Sequence, residues 1–276
     1  MLPFRIPLRD WISSGVDYLI ENFSAVFDGI TTFVRFLVET FKDGMEMLHP
    51  AALMVIIAAI TWKMAGWKTA IGAFLSLLLV ENIDLWEPFV ATLALVLTAE
   101  ALIVVVGLPI GIWAAKSDRV HTVVRPILDF MQTMPAFVYL IPAVMFFGLG
   151  LVPGVIATFI FAIPPLIRLT NLGIRQVPNE LIEASDAFGA TGYQKLFKVQ
   201  LPVAMPTVMA GVNQSIMLGL SMVVIAAMIG AGGLGSDVLR GIQRLQIGSG
   251  FEAGLAVVVM AIILDRITAG FGKMKN

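Results

Sequence analysis

Apolar residues of this 276-residue chain are grouped into long blocks that short polar or glycine-containing stretches separate. The blocks after residue 48 cover residues 49–62, 66–80, 89–115, 136–151, 153–170, 203–230 and 250–270. A helix needs about 20 apolar residues to cross the hydrocarbon core of a bilayer. The pattern therefore predicts about seven transmembrane helices. The first two are short, and they are expected to form a tight hairpin that is tilted or re-entrant.

The first 46 residues follow a different pattern. From Ile12 to Met45, apolar residues recur every three or four positions, with acidic residues such as Asp17 and Glu39 between them. This spacing places the apolar side chains on one face of a long helix. The segment 1–46 is therefore predicted to be an amphipathic helix that lies in the membrane interface or braces the bundle as a scaffold. A soluble cap is the alternative.

Composition places the chain among membrane proteins. Hydrophobic residues make up 58% of the sequence and charged residues 13%, whereas soluble domains have about 25% charged residues. The net charge of −1 argues against nucleic acid as a partner, because surfaces that bind nucleic acid are usually basic. The chain has no cysteine and no apparent signal peptide. Disulfides are therefore excluded, and the spans themselves are expected to direct insertion into the lipid bilayer.

Basic residues predict the orientation of the spans. Most of the 18 lysine and arginine residues lie in the first hairpin turn and after the third, fifth and seventh blocks. The segment 81–88 carries three acidic residues and no basic residue. Cytoplasmic segments are usually the ones rich in lysine and arginine. We therefore expect a multi-pass protein with its N-terminus outside, its C-terminus inside and the segment 168–202 in the cytoplasm.

The segment 183–202, EASDAFGATGYQKLFKVQLP, is too polar to cross a membrane and richer in apolar residues than an ordinary loop. Pro178 fits the first turn of a helix, and Gly189 fits the position where that helix ends. Thr191 followed by Gln194 predicts a capping box that begins a second helix, which Pro202 is expected to end. The predicted element is two short helices joined at a glycine, with a span attached at each side. It either packs on its own bundle or gives a partner a lever on two spans.

The spacing of residues in this segment resembles the EAA loop of ABC-importer permeases. That family's pattern is E-A-A, three residues, G, nine residues, I, one residue, L-P; this chain has Glu183-Ala184-Ser185, Gly189 and Val199-Gln200-Leu201-Pro202. The resemblance implies that the loop docks in a cleft of a cytoplasmic ATPase subunit and transmits the closure of that subunit to the spans. The candidate coupling residues are Glu183, Ala184, Ser185, Phe188, Gly189, Lys195, Lys198, Leu201 and Pro202. Phe188 and the two lysines are added for their side-chain chemistry, not for the family pattern.

A wider resemblance, from about residue 88 to residue 268, is to ABC permeases for glycine betaine and related osmoprotectants. It rests on LDFMQTMPAFVYLIPAVMFF (128–147), IRQVPNELIEASDAFG (174–189), GVNQSIMLGLSMVVIAAMIGAGGLG (211–235) and LDRIT (264–268). It implies an all-α polytopic membrane protein whose five-helix type I importer core covers 88–270 and includes the coupling loop 174–202. An amphipathic scaffold helix (1–46) and a short helical hairpin (47–82) would precede this core.

The same resemblance implies partners and a mechanism. Two permeases pair, two cytoplasmic ATPases bind inside, and an extracytoplasmic substrate-binding protein delivers a quaternary ammonium solute. The expected function is that of a permease subunit working by alternating access in an ATP-driven importer of a prokaryotic cytoplasmic membrane. No G-x-x-x-x-G-K-[ST] motif occurs in the chain, so ATP and Mg²⁺ are expected on the ATPase. No cofactor and no enzymatic activity are expected on this chain.

Two groups of residues are candidates for the wall or gate of a translocation path. They are Thr133, Met134, Pro135 and Phe137 near the start of the fourth block, and Asn213, Gln214, Ser215 and Met217 inside the sixth. Polar side chains at membrane depth usually face other helices or a water-filled path. Hydrogen bonding between helices therefore remains the alternative for the second group. Glu100 is a lone carboxyl group in the third block, either protonated or paired with a partner that the sequence does not identify.

Other functions remain open at this point. GAGGLG (230–235) follows an apolar helix and not a strand, so it predicts a break at the outer end of the sixth span and not a nucleotide site. His49 and His121 are isolated, and no metal site is predicted. The alternatives are an ABC permease for another small solute, such as choline or an amino acid, or an ion-driven secondary transporter. The latter would need buried ion ligands and inverted repeats.

Overall fold

The computed structural model describes residues 7–273; residues 1–6 of the predicted amphipathic helix and residues 274–276 of the basic tail lie outside this range. Regular structure in the described range is helical throughout, which confirms the predicted all-α class. The helices are α1 Leu8–Glu46, α2 Pro50–Ala65, α3 Trp67–Asn82, α4 Trp86–Lys116, α5 Asp118–Thr133, α6 Leu140–Phe147, α7 Leu151–Arg175, α8 Asn179–Ala187, α9 Gly192–Lys195, α10 Leu201–Ala226, α11 Gly233–Gln243 and α12 Ile247–Lys273.

Helix α7 lies at the centre of the bundle, between α4 and α10. Small residues allow these helices to approach closely. A Cβ atom at Gly111 of α4 would lie 2.6 Å from the Thr170 Cβ atom, and one at Gly211 of α10 would lie 3.1 Å from the Leu166 Cα atom. Close contact at small residues is typical of helix pairs in membranes, where van der Waals packing supplies much of the attraction. The tight core of this protein is therefore the triple α4–α7–α10.

The remaining long helices surround this triple. Helices α11 and α12 pack against each other and against α10 and α4, and the α2–α3 hairpin lies on α12. Helix α1 packs along α4 through the buried Val34 and Val38 and has a kink at Phe23 (φ −120°, ψ 19°). Much of its apolar face, including Ile12 and Phe33, is exposed. The protein therefore presents an unpaired apolar helix face beside its core.

The structure has fewer full-length membrane helices than the seven apolar blocks. Four helical stretches are long and apolar enough to cross a bilayer: Trp86–Lys116, Leu151–Arg175, Gly192–Ile229 and Ile247–Gly272. The number rises to six if the bent pairs α1–α2 (104°) and α5–α6 (109°) each count as one span. Helices α2 and α3 have 16 residues each, about 24 Å of helix, which is shorter than a hydrocarbon core of about 30 Å.

The fourth apolar block is not one continuous helix. Residues 136–139 form a 3-10 turn, and α6 has only eight residues. Met134 is extended (φ −75°, ψ 132°), as residues before proline usually are, and Pro135 follows it. The preceding segment is the amphipathic helix α5, whose first turn is capped by Ser117. The α5–α6 pair is therefore a bent element in which a polar helix meets a short apolar one.

The segment after the sixth block contains the predicted glycine-rich break and a helix that was not predicted. Helix α10 ends at Ala226, and α11 begins at Gly233. The Leu234 backbone N–H donates to Thr92 Oγ1 of α4 at 2.8 Å, in the first turn of α11. The glycines hid this helix from sequence analysis because glycine is a poor helix former.

The helix ends form two groups, one at each end of the bundle. At one end, Gly270 of α12 touches the α2–α3 turn at Met64, and Arg175 Nη2 donates to the Ala114 carbonyl oxygen at 2.9 Å and to Asp118 Oδ1 at 2.7 Å. This end, here called the basic end, carries Lys63, Lys68, Lys116, Arg119, Arg168, Arg175, Lys195, Lys198 and Arg266. The opposite end contains the starts of α4, α7 and α12 and carries Glu81, Asp84, Glu87, Asp237 and Glu252 with Arg240 and Arg244.

The contact between α12 and the hairpin gives a first prediction. In the variant Gly270→Ala the new methyl group would lie 2.4 Å from the Met64 carbonyl oxygen. The hairpin must then move away from α12, and we expect a loss of about 1–3 kcal/mol in unfolding free energy. A lower melting temperature of the purified protein in detergent would show this.

The matched control is Gly254→Ala in the same helix, where no atom lies within 4 Å of the new Cβ. It should leave the melting temperature unchanged or raise it slightly, because alanine favours a helix over glycine. Equal losses in the two variants would contradict a close contact at Gly270.

Candidate functional site

The segment resembling a coupling loop forms a compact element at the basic end, here called the surface element (residues 178–200). Its first helix, α8, ends at Gly189, which has a φ of +72°. The Gly189 N–H donates to the Asp186 carbonyl and the Ala190 N–H to the Ser185 carbonyl, at 2.9 and 3.0 Å. This pair of bonds is the Schellman arrangement, which requires a left-handed residue that glycine adopts without strain. Gly189 thus ends α8 as the sequence predicts.

The second helix begins as predicted but does not end as predicted. Gln194 N–H donates to Thr191 Oγ1 at 3.3 Å and the Thr191 N–H to Gln194 Oε1 at 2.9 Å, so the capping box is present. Helix α9 then continues through a π-helical turn, Leu196–Gln200, directly into α10. The prediction that Pro202 ends this helix is wrong. The proline lies in the first turn of α10, where the wider π turn relieves the clash and missing hydrogen bond that proline causes inside a regular helix.

One buried side chain holds the surface element against the bundle, and one ion pair joins its two helices. Leu196 is buried in a cluster with Leu128 of α5 and Ile174 of α7. Lys195 Nζ lies 2.5 Å from Asp186 Oδ1 and so links α9 to α8. Along the chain, the element is connected to α7 through residues 176–178, and to α10 through an unbroken helix.

The outward face of the surface element is rich in aromatic side chains. Phe188 is 93% exposed, and Tyr193 is exposed beside Phe197, with 4.4 Å between their ring centroids. Glu183 and Lys198 are also exposed. Apolar side chains grouped within a polar rim are typical of protein-docking surfaces. Sequence analysis missed Tyr193 and Phe197, although their spacing of four residues in a helix could have paired them.

The other candidate coupling residues have different environments. Ala184 and Gly189 are exposed, and Ser185 is buried with its hydroxyl group donating to the Ile182 carbonyl at 2.7 Å. Lys195 is partly buried in its ion pair, and Leu201 and Pro202 are partly buried in the first turn of α10. Five of the nine residues are therefore accessible to a partner: Glu183, Ala184, Phe188, Gly189 and Lys198.

Ser215 and Glu100 form a polar contact inside the bundle. Both carboxyl oxygens of Glu100 lie within 2.9 Å of Ser215 Oγ, which donates to this group across the α4–α10 interface. Both residues are buried. The contact identifies the partner of Glu100 that could not be found from sequence, because the two residues are 115 positions apart.

Asn213 forms hydrogen bonds to α12, whereas Ser215 bonds to α4. Its Nδ2 atom donates to Asp265 Oδ1 of α12 at 2.9 Å, and Thr268 Oγ1 donates to Asn213 Oδ1 at 2.9 Å. Gln214, between Asn213 and Ser215, is exposed, and Met217 is partly buried against the core. Asn213 and Ser215 thus contact different neighbouring helices. A role of Asn213, Gln214, Ser215 and Met217 in a translocation path stays a prediction.

The first predicted path group lies at the bend between α5 and α6. Thr133 and Pro135 are exposed, Phe137 is exposed, and Met134 packs with a cluster that includes Met222 of α10. The Tyr139 hydroxyl group donates to the Met131 carbonyl oxygen across the bend. This group therefore meets α10 at a break in the backbone, not within a continuous span.

A cavity of about 310 Å³ lies between α4, α5 and α7 toward the basic end. The ion pair of Arg168 and Asp129 lines it, together with His121, Arg125 and Asn171. Its charged lining distinguishes it from the apolar surfaces of the bundle, and it opens beside the helix that leads to the α5–α6 bend. Among the described residues, no group of three His, Asp or Glu side chains is placed to hold a metal ion.

Comparison with known proteins gives consistent relatives. The sequence profile of the family described as "Binding-protein-dependent transport system inner membrane component" matches residues 107–273. The chain is 51% identical over 268 residues to the glycine betaine/proline betaine transport system permease protein ProW of Escherichia coli (strain K12), covering 97% of this chain and 76% of that protein. It is 52% identical over 264 residues to the glycine betaine transport system permease protein OpuAB of Bacillus subtilis (strain 168), covering 96% and 94%.

Another relative is the glycine betaine/carnitine transport permease protein GbuB of Listeria monocytogenes, which is 52% identical over 272 residues, covering 97% of this chain and 96% of that protein. Among solved structures, a chain of the MetNI methionine ABC transporter in an inward facing conformation is similar, with a TM-score of 0.58 and 25% identity. That match covers 65% of this chain and 92% of the other.

The Glu100–Ser215 contact gives a second prediction. In Ser215→Ala the buried carboxyl group loses its hydrogen-bond donor, and we expect a loss of about 1–3 kcal/mol in unfolding free energy. Thermal unfolding of the purified protein measures this. Ser221→Ala is the control on the same helix, because Ser221 is exposed and bonds only within its own turn, to the Met217 carbonyl. A similar melting temperature for both variants would count against the contact.

Proposed function

We propose that this chain, which belongs to the family of inner membrane components of binding-protein-dependent transport systems, is the permease of an importer for glycine betaine and related quaternary ammonium solutes. The resemblance to glycine betaine permeases seen in the sequence motifs is confirmed by relatives at 51–52% identity over nearly the whole chain. The chain is thus a permease subunit with the importer fold. The observation that supports the substrate class is the shared glycine betaine specificity in the names of these relatives.

The surface element supports ATP-driven coupling. It combines an exposed aromatic face with a continuous helical connection to α10 and a short non-helical connection to α7. We assign a cytoplasmic ATPase subunit as the partner. Since this chain has no phosphate-binding loop, we assign the binding of ATP and Mg²⁺ to that subunit. The complete importer would contain two such ATPases, a second copy of this permease and an extracytoplasmic substrate-binding protein. This chain itself carries out no catalysis in that assembly.

The charge distribution supports the proposed orientation in a prokaryotic cytoplasmic membrane. The basic end, with the surface element, faces the cytoplasm, in line with the enrichment of lysine and arginine on that side. Helix α1 stacks on the opposite end, where Phe27 lies 4.8 Å from Phe146 between ring centroids. The N-terminus is therefore assigned to the outside and the C-terminus to the inside.

Transport is proposed to follow alternating access between two states of the bundle. ATP binding would close the ATPases and move the surface element, and hydrolysis would reset it. The solute would pass the α5–α6 bend, where Thr133 and Phe137 are exposed, and leave near the charged cavity at the basic end. Each nucleotide state favours one arrangement because it binds that arrangement more tightly.

A third prediction concerns docking of the ATPase. Phe188→Ala removes the most exposed aromatic side chain of the surface element. Central aromatic side chains often dominate interface energetics, so we expect the affinity for the ATPase subunit to fall about tenfold, or about 1.4 kcal/mol. Titration of the purified ATPase against the permease in nanodiscs measures the affinity, and uptake per ATP hydrolysed should fall as well.

Phe36→Ala is the matched control, because Phe36 is also exposed but lies on α1, away from the surface element. It should bind the ATPase normally. Normal coupled uptake in both Phe188→Ala and Glu183→Ala would refute the coupling assignment.

A fourth prediction concerns the solute. In proteoliposomes with the complete importer, uptake of labelled glycine betaine should require ATP inside and be inhibited by excess proline betaine. Inhibition by carnitine and by choline, measured in the same way, would rank the quaternary ammonium analogues. Equal excess of proline should inhibit much less, because proline lacks the quaternary ammonium group that aromatic side chains recognise.

Two results would overturn this assignment. Stronger inhibition by proline than by the betaines would point to an amino-acid permease. Uptake driven by an ion gradient without ATP would point to a secondary transporter.

A further inference from the structure

The charged cavity between α4, α5 and α7 collects polar side chains from two facing helices. Helix α5 supplies His121, Arg125 and Asp129, which are four residues apart, and α7 supplies Arg168 and Asn171, which are three apart. Residues at these spacings lie on one face of a helix. Each helix therefore presents a polar face to the cavity near the basic end.

Asn171 provides a buried hydrogen-bond donor without a partner. The residue is 7% exposed, and its Nδ2 atom is buried and forms no hydrogen bond among the described residues. A buried polar group that is left unpaired costs about 1–3 kcal/mol of stability. An apolar side chain at this position would avoid that cost. The amide is therefore expected to donate to a group that enters the cavity.

The two arginines of the cavity differ in their partners. Arg168 Nη2 donates to Asp129 Oδ1 at 2.5 Å, whereas Arg125 forms no ion pair within residues 7–273. With His121 neutral, two arginines and one aspartate give the lining a net charge of +1. A charge that leaves water needs a compensating charge nearby. The lining therefore fits a group with a single negative charge better than a phosphate dianion.

The donors of the cavity match the geometry of an oxyanion. A guanidinium group can donate two parallel hydrogen bonds to two oxygens of a carboxylate or a phosphate group. Arg125 supplies such a group, and the Asn171 amide adds a further donor from the opposite helix. The volume of about 310 Å³ lies at the lower end of the range for small-molecule sites.

We propose that this cavity is a binding site for one monoanionic oxyanion group, a carboxylate or a phosphodiester, which Arg125 and Asn171 hold. Two sources carry this chemistry. One is the carboxylate of the transported betaine, which rests on the proposed function. The other is the phosphodiester of a phospholipid headgroup, which does not.

Both sources can reach the cavity. Helix α5 leads to the α5–α6 bend, which is the proposed path of the solute. The other face of α5 exposes Val123, Ile127 and Phe130. An amphipathic helix with such a face lies at the level of the lipid headgroups. The position of the cavity therefore admits either ligand, and the donor set defines the group that is bound.

The cavity shares buried residues with the surface element. Leu128 and Ile167 line the cavity, and both belong to the buried cluster that contains Leu196. A bound group that joins α5 to α7 stabilises the arrangement in which Leu196 is buried. Occupancy of the cavity therefore favours one position of the surface element, because a ligand shifts a protein toward the state that it binds more tightly.

The test measures binding to the permease–ATPase complex in a maltoside detergent, which carries no phosphate. One arm uses radiolabelled glycine betaine, with choline as the competitor that lacks the carboxylate. The other arm uses radiolabelled phosphatidylglycerol, with diacylglycerol as the competitor that lacks the phosphodiester. In at least one arm, Asn171→Leu and Arg125→Gln should each lower the affinity at least tenfold, and the competitor should not displace the ligand.

Two controls separate binding from folding and from general charge. Asn171→Leu replaces an unpaired buried donor with an apolar side chain, so the melting temperature without ligand should not fall. If it does fall, the amide is needed for folding, and Arg125→Gln decides the outcome. Arg119→Gln is the matched control, because Arg119 is an exposed arginine of α5 that does not line the cavity. It should bind both ligands normally.

The two arms also identify the source of the bound group. A loss in the glycine betaine arm assigns the site to the solute, and a loss in the lipid arm assigns it to a headgroup. Unchanged affinity in both arms, or an equal loss in Arg119→Gln, would overturn the cavity site, as would a wild-type complex that binds neither ligand. Uptake by the complete importer tests the proposed function separately, so normal uptake without binding at the cavity would overturn this inference alone.

Discussion

Helices inside a bilayer attract one another chiefly through van der Waals packing and hydrogen bonds, because lipid tails are as apolar as the side chains they would replace. Here the close approach of α7 to α4 and α10 meets this constraint, with Gly111 and Gly211 at the contacts. The other helices depend on it. Helix α12 and the hairpin pack outside α10, and α1 packs outside α4. The surface element keeps its position because it connects α7 to α10.

Hydrogen bonds then fix α10 relative to its neighbours. Packing at small residues leaves some freedom for helices to slide, but a buried polar side chain has few favourable partners. Ser215 bonds to Glu100 of α4, and Asn213 bonds to Asp265 of α12. Helix α10 is thus hydrogen-bonded to both α4 and α12 by residues that are two positions apart. The same residues were candidates for a path wall, and their role in joining helices explains why polar groups occur at this depth.

The features that sequence analysis predicted well depend on local chemistry. The end of α8 at Gly189 and the capping box at Thr191 involve atoms a few residues apart, so the sequence contains all the information they require. Helices α5 and α11 were missed because their apolar residues are few or their first turns are rich in glycine, and tertiary contacts such as Leu234 with Thr92 stabilise them.

The prediction of a helix end at Pro202 was wrong because it relied on local sequence alone. Proline is a local stop signal, but here it follows a π turn whose first residue, Leu196, is buried against α5 and α7. The partner of Glu100, 115 residues away, is beyond any local pattern. Of the proposed docking face, Phe188 was predicted. The pairing of Tyr193 with Phe197 could have been inferred from their spacing, but the exposure of the pair could be seen only in the structure.

The two attachments of the surface element differ mechanically. Between α7 and α8 the helix is interrupted at Gln176–Pro178, and Pro178 is extended (φ −54°, ψ 136°). Between α9 and α10 the helix continues through the π turn. A force on the outward face therefore reaches α10 along a continuous helix, but reaches α7 across a bend. Since α10 also carries the bonds to Glu100 and Asp265, displacement of the element must either move α4 and α12 with α10 or break those bonds. The Ser215 and Asn213 contacts thus connect α10, the helix that continues from the surface element, to α4 and α12.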